Sequence, residues 1–280
     1  MFSVRHPKQF AIELYDRWVR LQICRNWERD QKASVAHNLS KPLIVSLTSY
    51  PPRFKTLSLT LRCLLAQSIR ADQTILWIAH QDRQAITEEI EALRSKGLSI
   101  RYCEDVRSHK KYAYAFREFS DCFIVTADDD AYYWPTWLAQ LVEGHSPHTR
   151  DFACLRAHKI VFTPDGRPGE YDQWEHNTND SQPSPAIFPT GLGGVLYRPA
   201  EMHPDVTNLD RAMLLAPTAD DLWLYWMARR AGICFRKVGP TQRFHNWSGT
   251  QAASLYQVNS VVANGNDVQI DAMIRAYGWP

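Results

Sequence analysis

The chain has 280 residues, of which 45% are hydrophobic and 22% are charged. This length and balance suit one large α/β domain or two small domains. The formal net charge of +2 argues against a dedicated nucleic-acid binder, which would carry a strongly basic face. Ten Trp and twelve Tyr are a heavy aromatic load. Aromatic residues fill cores more often than they line sugar sites, so composition alone does not reveal a function.

The cysteines and the hydropathy pattern bear on location. The six cysteines lie far apart and form no Cys-x-x-Cys pair, which predicts reduced thiols rather than a disulfide or zinc framework. No apolar run reaches the roughly 18 residues that a membrane span requires. The N-terminus also lacks the apolar core of a signal peptide. We therefore expect a cytoplasmic protein.

The N-terminal segment has the spacing of an amphipathic helix from Phe10 to Asp30. Its apolar positions are Phe10, Leu14, Trp18, Leu21 and Cys24, and its basic positions are Lys8, Arg17, Arg20 and Arg29. The helix either packs on its own domain or on a second subunit in a homodimer, or it lies peripherally on the inner face of an anionic membrane. We favour packing. A polar linker, Gln31–Lys41, follows.

From residue 42 the chain alternates between strand and helix patterns. The predicted strands are Leu43–Thr48, Thr74–Ala79, Ser99–Cys103 and Cys122–Ala127, and the predicted helices are Leu57–Gln67, Thr87–Lys96 and Ala113–Phe119. This alternation predicts an α/β fold with a mostly parallel sheet flanked by helices. Such sheets bind ligands outside the carboxyl ends of their strands, so the polar residues there are the candidates for a site.

The second half is less regular. Pro164–Pro189 is rich in Pro, Gly, Asn and Asp, and its length predicts a functional loop or lid. Gly191–Tyr197 reads as a strand entered through glycines, Thr218–Arg230 as a helix, and the tail from Thr250 as partly helical.

Three consecutive carboxylates, Asp128, Asp129 and Asp130, directly follow the fourth predicted strand. Close carboxylates repel one another unless a cation or solvent compensates. Hard oxygen ligands suit Mg²⁺ or Mn²⁺. The alternative is a solvated acidic turn, or an N-cap for a helix that begins near Pro135. The position after a buried strand favours a metal site.

A second acidic pair, Asp220 and Asp221, opens the predicted helix. Thr218 and Asp221 have the spacing of a capping box, which would give the pair a structural role. Alternatively, one carboxylate acts as a general base toward a hydroxyl group. Likewise, His245 either completes a metal shell or is an ordinary, partly buried histidine.

Basic residues follow two of the strands. Lys111, beside Lys110, could face a diphosphate as a point charge, and Arg53 is a weaker candidate for the same role. A solvated pair of lysines is the alternative.

The order of these features resembles the GT-A fold glycosyltransferases, in particular the bacterial family-2-like enzymes that build capsule, lipopolysaccharide and other surface glycans. A polar loop after the first strand, βαβ units, an Asp-x-Asp, a Gly-rich strand, an acidic pair and a late His occur in that order between Pro42 and Gly249. The segments Val45–Arg53 and Thr218–Trp223 look characteristic of one such subgroup.

The resemblance implies a role for each matching residue. Asp128 and Asp130 would hold Mn²⁺ or Mg²⁺ on the diphosphate of a nucleotide-sugar donor, His245 would be a further metal ligand, and Asp129 would touch the ribose. The residues that would border the nucleoside are Thr48, Ser49, Tyr50 and Arg53. The general base would be Asp221, with Asp220 sharing or taking that role because relatives often have Glu-Asp here.

The implied reaction is the inverting transfer of a sugar to a hydroxyl of a glycan or lipid-linked acceptor. The implied division of the chain is a helix and linker (1–41), a GT-A domain (42–250) and a tail (251–280). Within the domain, residues 42–130 would bind the nucleotide and residues 131–250 the acceptor. Base recognition stays open, because Ala79-His80-Gln81-Asp82 lacks the acidic residues that many relatives have directly after the second strand.

Two other functions stay in view. A sugar-nucleotide nucleotidyltransferase also needs a nucleotide, a metal and an α/β sheet, but it usually has a Gly-rich loop after its first strand, and Thr48–Arg53 contains no glycine. A carbohydrate-binding protein that has lost its chemistry is the second alternative. The intact acidic groups argue against it.

Overall fold

The computed structural model of the protein describes residues 7–250 and 265–280. The described strands are β1 (Val35–Ala36), β2 (Leu43–Thr48), β3 (Ile69–Arg70), β4 (Gln73–Ala79), β5 (Leu98–Cys103), β6 (Phe123–Ala127), β7 (Ala131–Tyr132), β8 (Asp151–Cys154), β9 (Ala157–Lys159), β10 (Ile187–Pro189), β11 (Val195–Tyr197), β12 (Cys234–Lys237) and β13 (His245–Asn246). The described α-helices are α1 (Pro7–Ala33), α2 (Phe54–Leu65), α3 (Glu88–Ala92), α4 (Lys110–Glu118), α5 (Trp137–Glu143), α6 (Leu209–Leu215), α7 (Asp220–Arg230) and α8 (Gly265–Tyr277). The expected α/β class, a mostly parallel sheet flanked by helices, is confirmed.

Seven strands form the central sheet in the order β12-β8-β11-β6-β2-β4-β5. Strand β11 runs antiparallel to its neighbours β6 and β8, and the other neighbouring pairs are parallel. From β2 the chain moves outward to β4 and β5 and then returns to the other side of β2 as β6. The strand order therefore reverses between β2 and β6. Open α/β sheets bind their ligands at such a switch point.

The central strands are mostly apolar on both of their faces, and helices cover both faces of the sheet. In β2, Leu43, Val45 and Leu47 pack into a core that contains α2. Ile44 points to the opposite face, into a second core that contains residues of α4 and α7. Alternate side chains of β2 thus pack into two hydrophobic cores on opposite faces of the sheet.

The helices differ from the predicted bounds mainly at their N-termini. Helix α2 begins at Phe54, directly after a 3₁₀ turn over Pro51–Arg53. Helix α4 begins at Lys110, earlier than the predicted Ala113. The predicted helix Thr87–Lys96 is split into α3 and a 3₁₀ turn, Leu93–Lys96, which is followed by Gly97 with φ of +103°. Local apolar spacing does not report these polar first turns.

Helix α1 forms where it was predicted, but the predicted buried face is wrong. Val19, Ile23 and Trp27 are buried and belong to the core that contains α2. The predicted apolar positions Leu14 and Trp18, by contrast, are about half exposed. The helix carries apolar residues on both sides, so its periodicity alone could not select the face that α2 covers.

The second half of the chain is more regular than predicted. The segment Pro164–Pro189 contains a 3₁₀ turn, Tyr171–Gln173, and ends in β10, which pairs with β9. Of the predicted strand Gly191–Tyr197, only Val195–Tyr197 (β11) is a strand, because Gly191–Gly193 form a 3₁₀ turn. Part of the predicted tail, 251–264, lies outside the described residues. Helix α8 follows it and packs against α7, where Trp226 Nε1 donates to the carbonyl of Gly278 at 3.0 Å.

None of the helices within residues 7–250 and 265–280 is long and apolar enough to span a bilayer.

Candidate active site

A cavity of about 620 Å³ opens at the carboxyl ends of β2 and β6, where the strand order reverses. Ten of the eleven residues predicted for the site line it: Thr48, Ser49, Tyr50, Arg53, Lys111, Asp128, Asp129, Asp130, Asp220 and Asp221. The eleventh, His245, does not. Residues that are up to 173 positions apart in sequence therefore share one cavity.

The acidic trio after β6 is largely withdrawn from solvent. The side chains of Asp128, Asp129 and Asp130 are 30%, 14% and 9% exposed. Asp128 Oδ1 accepts from Lys111 Nζ at 2.8 Å, while Arg53 donates to Asp130 and lies 3.9 Å from Asp129. The alternative of a solvated acidic turn is wrong, because protein cations face all three carboxylates.

Two side chains and one main-chain amide fix the backbone of the trio. The amide of Asp128 donates to the hydroxyl of Tyr133 at 2.7 Å, and the hydroxyl of Thr60 lies 3.0 Å from the carbonyl of Asp129. The amide of Trp247 donates to the carbonyl of Asp130 at 2.9 Å. The loop is thus held on both sides, so its carboxylates are presented in a fixed arrangement.

The trio carries more negative charge than Arg53 can balance. Burial disfavours the guanidinium charge, but Asp129 and Asp130 outweigh it and raise the pKa of Arg53. Burial and the neighbouring Asp130 raise the pKa of Asp129 to about 7, although Arg53 acts in the opposite direction. A carboxylate with this pKa marks a place where an additional cation would be stabilising.

Lys111 connects the trio to the second acidic pair. Its Nζ lies 2.8 Å from Asp128 Oδ1 and 2.9 Å from Asp220 Oδ2, and its side chain is 6% exposed. Burial opposes its charge, yet Asp128 and Asp220 hold the pKa of Lys111 well above its ordinary value. Lys110 is also buried and pairs with Asp105. The solvated lysine pair is therefore the wrong alternative, since both residues lie in the buried first turn of α4.

Two contacts hold that first turn in place. The hydroxyl of Ser46 in β2 donates to the carbonyl of Lys111. His109 Nε2 donates to the carbonyl of Ala216 at 2.8 Å, and its Nδ1 accepts from the hydroxyl of Tyr112 at 2.9 Å. Burial lowers the pKa of His109, so the ring is neutral and can accept this bond. His109 thereby ties α4 to the segment that leads into α7.

Asp221 lies against the glycine turn before β11. Its Oδ2 accepts from the amide of Gly191 at 2.9 Å. Burial and Asp220 raise the pKa of Asp221 to about 7. Burial acts in the same direction on Asp220, but Lys111 outweighs it and lowers the pKa of Asp220. Two adjacent carboxylates thus have pKa values pushed in opposite directions, which is a common feature of acid–base sites.

The capping box that the spacing suggested is not formed. The N-cap position of α7 is Ala219, and no side chain caps it. The hydroxyl of Thr218 instead contacts Gln269 Oε1 of α8 at 3.2 Å. Asp221 is therefore not occupied in closing its own helix.

His245 lies apart from the trio. Its Nε2 is 2.9 Å from Asp16 Oδ1 on α1, and its ring packs edge-on against Tyr15. Successive residues of β13 point to opposite sides, so Asn246 lines the cavity and His245 faces α1. Among the described residues, no three His, Cys, Asp or Glu side chains form a group that could hold a metal ion by themselves.

Several lining residues were missed from the sequence. They are Asp105, Arg107, Ser108, Lys110, Arg156, Tyr171, Phe188, Thr190, Leu192, Asn246, Asn266 and Ile270, with a few others. Arg156 donates to the hydroxyl of Thr190 at 2.7 Å and follows β8, so a prediction of β8 would have found it. Helix α8 contributes two of these residues, and nothing in the tail signals that it returns to the site.

Comparison with known proteins gives only weak likenesses. No family model and no curated protein matches the chain. A solved 4-diphosphocytidyl-2C-methyl-D-erythritol synthase aligns with TM-score 0.46 and 11% identity over 81% of this chain and 100% of that one. The inositol-1-phosphate CTP transferase from T. maritima aligns with a TM-score of 0.44 and 11% identity over 81% of this chain and 99% of that one. S. aureus TarS 1–349 aligns with a TM-score of 0.42 and 12% identity over 85% of this chain and 74% of that one. Likenesses of this strength carry no argument about the activity of this chain.

Proposed function

We propose that the protein is a metal-dependent glycosyltransferase that moves a sugar from a nucleotide-diphosphate donor to a hydroxyl group of a glycan or lipid-linked acceptor. One observation carries the proposal: Lys111 joins two acidic groups, one after β6 and one opening α7, across a single cavity. A site of this kind can hold a charged donor at one group and activate a hydroxyl at the other. Residues 42–130 bind the donor, and the later part of the chain binds the acceptor.

The acidic trio fits a divalent cation of the Mn²⁺ or Mg²⁺ type. Six carboxylates line the cavity, and Asp105 pairs with Lys110. The other five, the trio with Asp220 and Asp221, share two buried cations, Arg53 and Lys111, so the local charge favours a further positive ion. Asp128 Oδ2 has no hydrogen-bond partner among the described residues, and its carboxylate is the most exposed of the three. Such ions are commonly held by one or two carboxylates plus substrate phosphates. Asp128 and Asp130 would supply the carboxylates, and the ion would offset charge on the departing diphosphate.

The loop after β2 is assigned to the nucleoside. Thr48 and Ser49 already bond to the protein, to the carbonyl of Trp77 and to Asp129 respectively. Tyr50 is the cavity's partly exposed aromatic residue in this loop, and its ring can stack on a base. Asp129 lies next to Ser49, in reach of the ribose region.

In the proposed reaction Asp221 accepts the proton of the acceptor hydroxyl as that oxygen attacks the anomeric carbon. The new glycosidic bond forms opposite to the breaking bond, so the anomeric configuration inverts. Lys111 and Arg53 stabilise the negative charge around the diphosphate. The pKa of about 7 suits Asp221 to this task, because a general base works best when its pKa is near the working pH.

The proposed general base, Asp221, weighs against a nucleotidyltransferase that uses a sugar phosphate. A phosphate nucleophile is already ionised at neutral pH and requires no base. The loop after β2, Thr48–Arg53, also contains no glycine, whereas such enzymes usually have a Gly-rich loop there. In an inactive binding protein, the buried Asp220–Asp221 pair would cost folding free energy without serving a reaction.

Asp221→Asn tests the proposal. With a panel of nucleotide-sugar donors and Mn²⁺, we expect the wild-type protein to hydrolyse one donor slowly or to transfer its sugar to added acceptors with inversion. The Asn variant should bind that donor normally but lose turnover by roughly 10²–10⁴-fold.

Asp210→Asn, on α6 and outside the cavity, is the matched control and should behave like the wild type. Normal turnover by Asp221→Asn would assign the base elsewhere. Release of inorganic pyrophosphate from a nucleoside triphosphate and a sugar phosphate, with no donor cleavage, would identify a nucleotidyltransferase instead.

A further inference from the structure

One side of α1 exposes a row of large apolar side chains. Leu14, Trp18 and Leu21 are 49%, 56% and 53% exposed. Their spacing of four and three residues aligns them along one face, which we call the outer stripe. It lies opposite the buried face of α1, so it has no part in attaching the helix to α2.

The outer stripe differs from isolated exposed apolar residues elsewhere in the described chain. Leu214 on α6, for example, is 77% exposed, but it stands alone. Single exposed hydrophobic residues are ordinary, whereas a contiguous row that includes a tryptophan marks a contact surface.

The charges beside the outer stripe are mostly positive, because the exposed Glu28 on this side pairs with Lys96. Arg17 and Arg25 are exposed on this side of the helix, and neither has an acidic partner among the described residues. The nearby acid Asp16 faces inward, where it pairs with Arg20 and His245. The stripe therefore combines apolar side chains with uncompensated arginines, a pattern that suits the boundary between lipid headgroups and acyl chains.

We propose that the outer stripe docks on the surface of an anionic lipid bilayer. Leu14, Trp18 and Leu21 enter the headgroup boundary, while Arg17 and Arg25 contact lipid phosphates. This proposal rests on the exposed face of α1 and does not depend on the proposed activity. A second copy of the chain suits the face less well, because it would bring arginines against arginines.

Vesicle flotation tests the proposal with the full chain. We expect binding to vesicles that contain phosphatidylglycerol and little binding to vesicles of phosphatidylcholine alone. Binding should weaken as salt is added, because salt screens the arginines. A double variant, Leu14→Ser with Trp18→Ser, should bind at least about tenfold more weakly, since it removes most of the inserted apolar area. Arg17→Glu with Arg25→Glu should reduce binding similarly.

Matched controls lie elsewhere on the surface. Leu214→Ser removes an even more exposed leucine, and Arg167→Glu reverses an exposed charge, so both should bind like the wild type. Circular dichroism checks that each variant is folded. Absence of binding to anionic vesicles at low salt, or equal binding by the stripe variants, would overturn the proposal. So would a wild-type dimer, seen by analytical ultracentrifugation, that Trp18→Ser converts to a monomer.

Discussion

Gly191 contacts Asp221 through its amide and leaves no room there for a side chain. The amide donates to Asp221 Oδ2 at 2.9 Å, and a Cβ at Gly191 would lie 2.7 Å from Asp221 Oδ1 and 3.2 Å from Lys111 Nζ. Gly191→Ala should therefore displace the Asp221 carboxylate, whereas the flexible end of the Lys111 side chain has to shift only slightly. We expect kcat to fall by on the order of 10²-fold with donor affinity nearly unchanged, because the proposed base moves but the donor loop does not. Steady-state kinetics and donor titration measure the two effects. Equal kcat for the variant and the wild type would show that the carboxylate at Asp221 needs no such placement.

The pH profile should report the pKa of Asp221. Because a base must be deprotonated to act, activity should be constant above a pKa of about 7 and fall tenfold per pH unit below it. The residual activity of Asp221→Asn should lack this limb. An acidic limb that persists unchanged in that variant would belong to another group.

The free energy of unfolding should also depend on the protonation of Asp221, but it should decrease with rising pH where the activity increases. A raised pKa in the folded state means that stability is fully present below the unfolded-state pKa and is lost as pH rises through the folded pKa. Without metal, Asp221→Asn should thus be more stable than the wild type at pH 8, by on the order of a few kcal/mol. The difference should vanish near pH 4, and urea unfolding at the two pH values measures it.

Lys111→Met should destabilise the protein by about 3–5 kcal/mol, because it leaves Asp128 and Asp220 buried without their cation. Mn²⁺ should restore part of the loss if the ion binds beside Asp128. Thermal unfolding with and without Mn²⁺ measures both effects. Lys159→Met, which removes a surface lysine that pairs with Asp180, is the control and should cost no more than about 1 kcal/mol.

His245→Gln separates a metal ligand from a structural partner. The ring bonds to Asp16, so we expect the Mn²⁺ concentration for half-maximal activity to stay the same. Stability should fall by about 1 kcal/mol, as in Asp16→Asn, because each variant weakens the same hydrogen bond. A tenfold higher Mn²⁺ requirement in His245→Gln alone would show that the histidine moves to the metal on ligand binding.

The sequence allowed the strands on the donor side to be predicted nearly to the residue, because they are short, apolar and bounded by polar turns. Asp128, Asp130 and Asp221 could be predicted as cavity residues because they follow or precede such elements. The orientation of His245 could not, since it depends on which residue of a two-residue strand faces α1. Nor could the placement of Asn266 and Ile270, which α8 brings to the cavity by long-range packing.

The reversed direction of β11 has a chemical consequence. The parallel strands β2 and β6 end at this rim, where the polar side chains that follow them line the cavity. Strand β11 instead starts at the rim, and in the glycine turn that leads into it the amide of Gly191 donates to Asp221. The fold thereby stabilises a buried carboxylate with a main-chain dipole, a donor that does not depend on the identity of any charged side chain.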